Sequence, residues 1–139
     1  MKKNKLLHPQ LSKVVASLGH GQGLTIADCG LPISTDVDRI DLALTHGIPG
    51  FLETLDVVLS ETVVEQIIIA KEFLQISPET HNRFIERIHQ LESEQGKAVE
   101  LIEVSHEQFK QLSDQSLAVV RTGECTPYAN VILKSGVAF

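Results

Sequence analysis

Apolar residues recur at helical spacing near the start of the chain and in short uninterrupted runs after it. The spacing of apolar positions over residues 9–18 predicts a helix, and its apolar members are Leu11, Val14, Val15 and Leu18. Gly19 and Gly21 end that helix. The apolar run at 24–27 lies between turn residues, which indicates a buried strand that ends at Asp28.

The remaining pattern predicts further helices and strands in alternation. Ser77 and Pro78 are typical of a helix start, and Gly96 of its end. Ser105 is positioned to cap another, short helix. The run at 62–70 is rich in β-branched residues and favours a strand, but its sequence also permits a helix that continues to residue 74. The other predictions are strands at 40–44, 99–104, 117–120 and 131–133 and a helix at 51–59.

This alternation is typical of the α/β class. We predict a single-domain three-layer sandwich over residues 1–139, with a central mixed sheet flanked by helices. The chain contains no internal repeat, low-complexity segment or linker that favours a second domain.

The charge and composition of the chain limit which partners and which cellular compartment we expect for it. The formal net charge is −6, so no basic stripe is available for a nucleic-acid backbone. No apolar run approaches the roughly 20 residues that span a bilayer, and we expect no membrane partner. The basic start is not followed by the apolar core of an export signal. We therefore expect a cytoplasmic protein in which Cys29 and Cys125 are reduced thiols.

Two polar residues flank the first predicted strand. His20 lies between two glycines, which leave room for a ligand, and histidine exchanges protons near neutral pH. Asp28 follows the apolar run and needs hydrogen-bond donors, which sugar hydroxyls supply. The alternatives are a solvated loop histidine and an aspartate that caps the turn to Gly30.

The later part of the chain offers two further polar groups. His106 and Lys110 share a helix face, where they would grip a polyol or simply face solvent. Tyr128, Ala129 and Asn130 follow a proline, and the tyrosine ring and asparagine amide suit a sugar. The alternative for this segment is a proline turn in which Asn130 bonds to its own backbone.

Metal, nucleotide and cysteine chemistry have little support in the sequence. The six histidines are scattered and no pairing with metal-ligand spacing occurs, so we predict neither a metal nor a cofactor. We expect His81 and His89 to face solvent. A cysteine nucleophile at Cys29 or Cys125 lacks an adjacent base. Glycine-rich phosphate-binding motifs are absent.

Several motifs in order along the chain resemble the ribose pyranase and fucose mutarotase family. The resemblance extends over nearly the whole chain but is weak between residues 60 and 96. Thr126 stands where a serine is common in the family. The motif DCGLPI is more similar to the ribose branch than to the fucose branch. The motifs are SLGHG at 17–21, IADCGLPI at 26–33, RIDLALT at 39–45, GIP at 47–49, HEQFK at 106–110, RTGECTPYAN at 121–130 and VIL at 131–133.

The resemblance implies an enzyme that interconverts the β-pyranose and β-furanose rings of free D-ribose. It implies a cytoplasmic homo-oligomer, a decamer or octamer, with sites at subunit boundaries. His20 would be the proton donor. The implied sugar-binding residues are Asp28, His106, Tyr128, Ala129 and Asn130, and Lys110 is a further candidate contact.

The sequence leaves the proton acceptor and the function class open. Asp28, His106 or a water molecule would take the second proton. The rival functions are a mutarotase of fucose or a related sugar, a non-catalytic sugar-binding accessory of an uptake system, and a cysteine-dependent hydrolase. The apolar C-terminus, 135–139, would dock at a subunit boundary or pack within its own chain.

Overall fold

Six strands and five helices alternate along the chain in the computed structural model, which describes residues 1–139. The strands are β1 (Gly23–Ala27), β2 (Asp38–Asp41), β3 (Val64–Ala70), β4 (Glu100–Val104), β5 (Ala118–Arg121) and β6 (Val131–Ser135). The helices are α1 (Pro9–Ser17), α2 (Phe51–Leu59), α3 (Lys71–Ile76), α4 (Pro78–Gln95) and α5 (His106–Ser113).

The helix ends have local causes. The ring Nδ1 of His8 accepts a hydrogen bond from the Leu11 N–H at 3.2 Å and so caps α1. Ser105 caps α5, as predicted, by accepting from the Gln108 N–H at 3.2 Å. Gly96 ends α4 in the left-handed conformation, with φ of 67°, which glycine adopts without strain.

All six strands form one sheet in the order β2-β5-β1-β6-β3-β4. The strands pair in parallel except along β6, which runs antiparallel to both β1 and β3. The carboxyl ends of five strands and the start of β6 therefore meet at one edge of the sheet, called here the carboxyl edge. The opposite edge, where β1 begins and β6 ends, is called the amino edge.

Helices cover both faces of this sheet. Alternate residues of a strand point to opposite faces, so Ile67 and Ile69 join the larger core and Ile68 joins the smaller one. Helices α1 to α4 pack on the larger core, where Phe51, Phe73 and Phe84 are fully buried. Phe109 of α5 packs on the smaller core. The predicted α/β three-layer sandwich with a mixed sheet is confirmed.

Most predicted elements form, and the ambiguous one is resolved. The run at 62–70 forms strand β3 from Val64 to Ala70, as its β-branched residues favour, and a separate helix, α3, begins directly after it at Lys71. The predicted strand at 40–44 begins earlier and ends at Asp41. His89 is exposed, but the prediction that His81 faces solvent was wrong. The His81 ring packs edge-on against Phe73, with 5.4 Å between centroids.

No helix of this chain is both long enough and apolar enough to cross a lipid bilayer.

Gly123 has the closest neighbours of any glycine in the chain, and its substitution tests the packing of the carboxyl edge. A Cβ added there would lie 2.5 Å from the Thr45 carbonyl oxygen and would also overlap the Ile48 carbonyl. We expect Gly123→Ala to cost about 3 kcal/mol or more, because backbone and not a flexible side chain must move to make room. Thermal unfolding midpoints at fixed protein concentration measure the loss.

Gly96→Ala is the matched control for this substitution. A Cβ at Gly96 meets open space and adds only the strain of a positive φ, about 1–2 kcal/mol. A Gly123→Ala protein as stable as the Gly96→Ala protein would contradict the close approach.

Candidate functional site

The carboxyl edge carries five of the six residues singled out from the sequence. Asp28 directly follows β1, and His106 begins α5 just after β4. Residues 128–130 lead into β6 at the same edge. Ligand sites of open α/β sheets occur at this position, because loops from several strand ends converge there.

Asp28 and Asn130 are joined by a reciprocal pair of hydrogen bonds. The Asp28 N–H donates to Asn130 Oδ1 at 2.8 Å, and Asn130 Nδ2 donates to Asp28 Oδ2 at 2.9 Å. The Gly30 N–H donates to Asp28 Oδ1 at 2.9 Å, so Asp28 also caps the turn that follows it. Each carboxylate oxygen keeps acceptor capacity for a further donor. The pair thus fixes the orientation of Asp28 and leaves its carboxylate oxygens able to accept further hydrogen bonds.

His106 and Tyr128 pack against each other although they are distant in sequence. Their rings meet edge to face with 4.9 Å between centroids. The His106 backbone N–H donates to the Glu72 carboxylate, with a shorter distance of 3.1 Å. The ring Nδ1 of His106 is buried and has no hydrogen-bond partner within the chain. Tyr128 has a positive φ of 63°, an uncommon conformation for a residue with a side chain.

A cavity of about 480 Å³ opens over these groups. Asp28, His106 and Tyr128 line it, and its polar wall also includes His46, Glu124, Thr126 and the two cysteines. Ala129 and Asn130 are fully buried and are not part of the wall. A mixed polar and aromatic wall of this size suits a small, hydroxyl-rich ligand.

Glu124 holds the loop that carries these residues. Its Oε1 accepts from the N–H groups of Cys125 and Thr126, each at 3.1 Å, and from the Thr126 hydroxyl at 2.8 Å. Its Oε2 accepts from the Phe51 N–H, the first residue of α2, at 3.0 Å. Burial raises the pKa of Glu124, but the hydrogen bonds from Phe51, Thr126 and Cys125 outweigh it and hold this pKa below its usual range.

Cys29 and Cys125 are free thiols, not joined by a disulfide, and their sulfurs lie 3.7 Å apart on the cavity wall. The hydrogen bond with Cys125, followed by burial, raises the pKa of Cys29. A raised pKa keeps the thiol protonated and makes it a poorer nucleophile. This environment disfavours the cysteine-dependent hydrolase.

Lys110 is engaged elsewhere on its own helix. Its Nζ lies 2.7 Å from Glu107 Oε1, and it is not part of the cavity wall. No group of three or more histidine, cysteine, aspartate or glutamate side chains in the chain is arranged to hold a metal ion.

His20 lies at the amino edge, across the sheet from this cavity. It precedes β1, whereas Asp28 follows it, and the strand between them spans about 13 Å. The His20 side chain is 60% exposed, and its Nε2 lies 2.8 Å from each carboxylate oxygen of Glu65. A single chain therefore does not bring His20 together with Asp28, His106 and Tyr128.

Sequence reasoning did not single out the supporting carboxylates. Glu124 stands in the motif RTGECTPYAN already noted, but nothing in its local sequence marks it as the residue that holds the loop. Two further carboxylates and one histidine reach their positions through pairing of segments far apart in sequence, so no spacing rule reveals them. They are Glu72, Glu65 and His46.

Comparison with known proteins gives full-length matches. The model of the RbsD / FucU transport protein family matches residues 1–138. A D-ribose pyranase of Vibrio vulnificus (strain YJ016) is 54% identical over 139 residues, which cover 100% of both chains. A D-ribose pyranase of Psychromonas ingrahamii is 55% identical, again over 139 residues and 100% of both chains.

Solved structures with the same fold include two sugar complexes. Bacillus subtilis RbsD complexed with D-ribose is 44% identical, with a TM-score of 0.86 and coverage of 100% of both chains. The fucose mutarotase of Streptococcus pneumoniae in complex with L-fucose is 26% identical, with a TM-score of 0.72. That match covers 94% of this chain and 93% of the other.

Replacement of Glu124 tests its role in holding the loop. Glu124→Gln presents an amide donor to N–H groups that need an acceptor, so we expect a loss of about 1–3 kcal/mol at neutral pH. A carboxylate whose pKa is lowered on folding stabilises the fold above its unfolded pKa. That contribution disappears as the pH falls through the folded pKa. The difference between wild type and variant should therefore shrink on acidification.

Thermal unfolding midpoints from pH 7 to about pH 3 measure this difference across the carboxylate range. Thr126→Ser is the control, because it keeps the hydroxyl donor to Glu124. A gap between wild type and Glu124→Gln that stays constant with pH would contradict the role of the carboxylate charge.

Proposed function

Because the chain belongs to the RbsD / FucU transport protein family, we propose that it is a D-ribose pyranase, an isomerase that interconverts the β-pyranose and β-furanose forms of free D-ribose. The observation that carries this proposal is the full-length identity of 54–55% to relatives of that name. The likeness to a structure complexed with D-ribose supports the choice of sugar. The polar and aromatic cavity at the carboxyl edge suits such a ligand.

The reaction requires only proton transfers. A proton delivered to the pyranose ring oxygen, and removal of one from the anomeric hydroxyl, break the bond between C1 and that oxygen and leave the open-chain aldehyde. Attack of the O4 hydroxyl on C1, with the protons moved in the reverse sense, closes the furanose. His20 in its acid form is the proposed donor. Asp28, His106 or a water molecule takes the other proton. We propose that no metal or cofactor takes part.

The cavity residues hold the sugar in this proposal. Asp28 accepts hydrogen bonds from sugar hydroxyls, and His106 offers the buried Nδ1 that has no partner within the chain. The Tyr128 ring packs on the sugar C–H face, and the backbone of Ala129 and Asn130 shapes the loop. Asn130 acts through Asp28, because both ends of its amide are bonded to that residue.

A second copy of the chain completes the site in this proposal. His20 and the cavity lie at opposite edges of the sheet, so a neighbouring subunit must bring its His20 to the cavity mouth. Exposed apolar side chains near the cavity, Leu44 at 80% and Ile48 at 55%, favour contact with another subunit. Assembly of a homo-oligomer, a decamer or octamer, of this one-domain chain in the cytoplasm would form such sites. Neither nucleic acid nor a membrane is a proposed partner.

One rival function is favoured by a specific observation. The structural match to a fucose mutarotase in complex with L-fucose extends over most of both chains. The same proton transfers would then exchange the α and β anomers of fucose. A non-catalytic sugar-binding accessory would need the cavity but not His20.

Saturation-transfer NMR of the anomeric protons of ribose tests the activity. We expect faster pyranose–furanose exchange with wild-type protein and a loss of about 10²- to 10⁴-fold in His20→Ala, because positioned proton transfer contributes that much. Sugar binding should persist in the variant. His89→Ala is the control, since His89 is exposed on α4.

Other outcomes of this measurement separate the rivals. Accelerated anomer exchange of fucose without any effect on ribose would move the protein to the mutarotase function. Binding of ribose without acceleration would support the accessory. Wild-type exchange in His20→Ala would remove His20 as the donor.

Mixed oligomers test whether two chains build one site. His20→Ala and Asp28→Asn are each expected to be inactive as pure proteins. If each site takes His20 from one subunit and Asp28 from the next, a 1:1 mixed oligomer restores about one quarter of the sites. If each chain formed its own site, no mixed oligomer would recover activity.

Subunits are mixed by joint unfolding and refolding, native mass spectrometry verifies the mixed oligomers, and ribose exchange is then measured. Unmixed variants, refolded separately and combined afterwards, are the control. Verified mixed oligomers without activity would overturn the shared site.

A further inference from the structure

A β-bulge lies beside His20 at the amino edge of the sheet. Strand β3 pairs Val64 with Ser135 and Gln66 with Lys134, so Glu65 is an extra residue with no partner on β6. Bulges redirect a side chain relative to the regular alternation of a strand and recur next to active sites. Here the redirected side chain is the one that reaches His20.

Glu65 binds a single nitrogen of the His20 ring. Both of its carboxylate oxygens lie 2.8 Å from Nε2. An ionised carboxylate only accepts hydrogen bonds, so Nε2 carries the proton of this contact. Nδ1 is consequently the nitrogen left free to exchange a proton with a ligand.

The same point of the sheet also fixes the backbone around His20. Ser135, the partner of Val64 at the bulge, accepts from the Gly21 N–H at 2.8 Å and donates from its N–H to the Gln22 carbonyl at 3.0 Å. Its hydroxyl donates to the Gly19 carbonyl. The imidazole and the loop that carries it are therefore both held at the bulge, one by Glu65 and the other by Ser135.

We propose that Glu65 is the positioning residue of the proton donor: it holds the His20 ring by Nε2 and so assigns proton delivery to Nδ1. This inference rests on the proposed function. In the forward step the Nδ1–H proton moves to the sugar ring oxygen, and the neutral ring keeps its Nε2–H bond to Glu65. When the ring closes, a proton returns to Nδ1, so the histidine ends in its starting form.

A simple surface ion pair is the competing interpretation. Exposed pairs of this kind contribute little to stability, and their loss leaves chemistry elsewhere unaffected. A bulge that singles out Glu65, together with the contact of both oxygens with one nitrogen, favours a role in orientation. The two interpretations differ in what happens to the rate when Glu65 is changed.

Ribose exchange in Glu65→Ala and Glu65→Gln tests the proposal. We expect kcat to fall about 10- to 100-fold in Glu65→Ala with KM unchanged, because a misoriented donor loses rate and not binding. Glu65→Gln keeps one acceptor oxygen and should lie between wild type and Glu65→Ala. Glu86→Gln is the matched control, since Glu86 is exposed on α4.

The ¹⁵N shifts of the His20 ring in the sugar-free protein give a second readout. In the neutral ring we expect Nε2 to carry the proton in wild type, and both nitrogens to move toward tautomer-averaged shifts in Glu65→Ala. A Glu65→Ala protein that exchanges ribose at the wild-type rate, or that changes KM alone, would overturn the proposal. A ring proton on Nδ1 in wild type would overturn it as well.

The outcomes that would overturn the role of Glu65 can be distinguished from failure of the proposed function. Wild-type protein that does not accelerate ribose exchange would remove the pyranase, and with it the catalytic part of this inference. The ¹⁵N measurement needs no activity, and it alone would then decide whether Glu65 holds the ring.

Discussion

The buried central strand β1 sets the constraint on which the functional arrangement depends. All five of its residues are buried between β5 and β6, so its length and direction cannot vary without loss of the sheet. The chain places His20 before this strand and Asp28 after it. The proposed proton donor and the proposed sugar-binding carboxylate are close in sequence, but the strand between them holds them apart in space. Two residues that are close in sequence are expected to be close in space only when no strand lies between them.

The two edges of the sheet are organised by different long-range contacts. At the carboxyl edge the reciprocal bonds between Asp28 and Asn130 join the end of β1 to the start of β6, and Glu124 ties the same loop to α2. At the amino edge Ser135, which ends β6, holds the His20 loop. Strand β6 alone runs antiparallel, so it connects the two edges in the direction opposite to β1. Each half of the proposed shared site is thus held in place by contacts within the chain.

The sequence predicts the parts of this structure that depend on local patterns. Apolar periodicity, Ser105 as a cap and Gly96 as a helix end are local signals, and the corresponding elements form. The polar groups of the carboxyl edge were identifiable because each follows or precedes an apolar run. His81 has no such local signal, since its burial depends on Phe73, which belongs to another helix. Whether Asn130 faces a ligand or Asp28 is likewise decided by strand order.

Register explains why Glu65 has no signature in the sequence. Its run alternates too little to distinguish a strand from a helix, and the bulge exists only because β3 and β6 pair one residue out of step. A one-residue shift in register reverses which face a side chain takes. Without the bulge, the side chain at position 65 would follow the regular alternation of β3. The contact with His20 is thus a consequence of strand pairing, and strand pairing relates residues as far apart in sequence as Val64 and Ser135, which no local pattern connects.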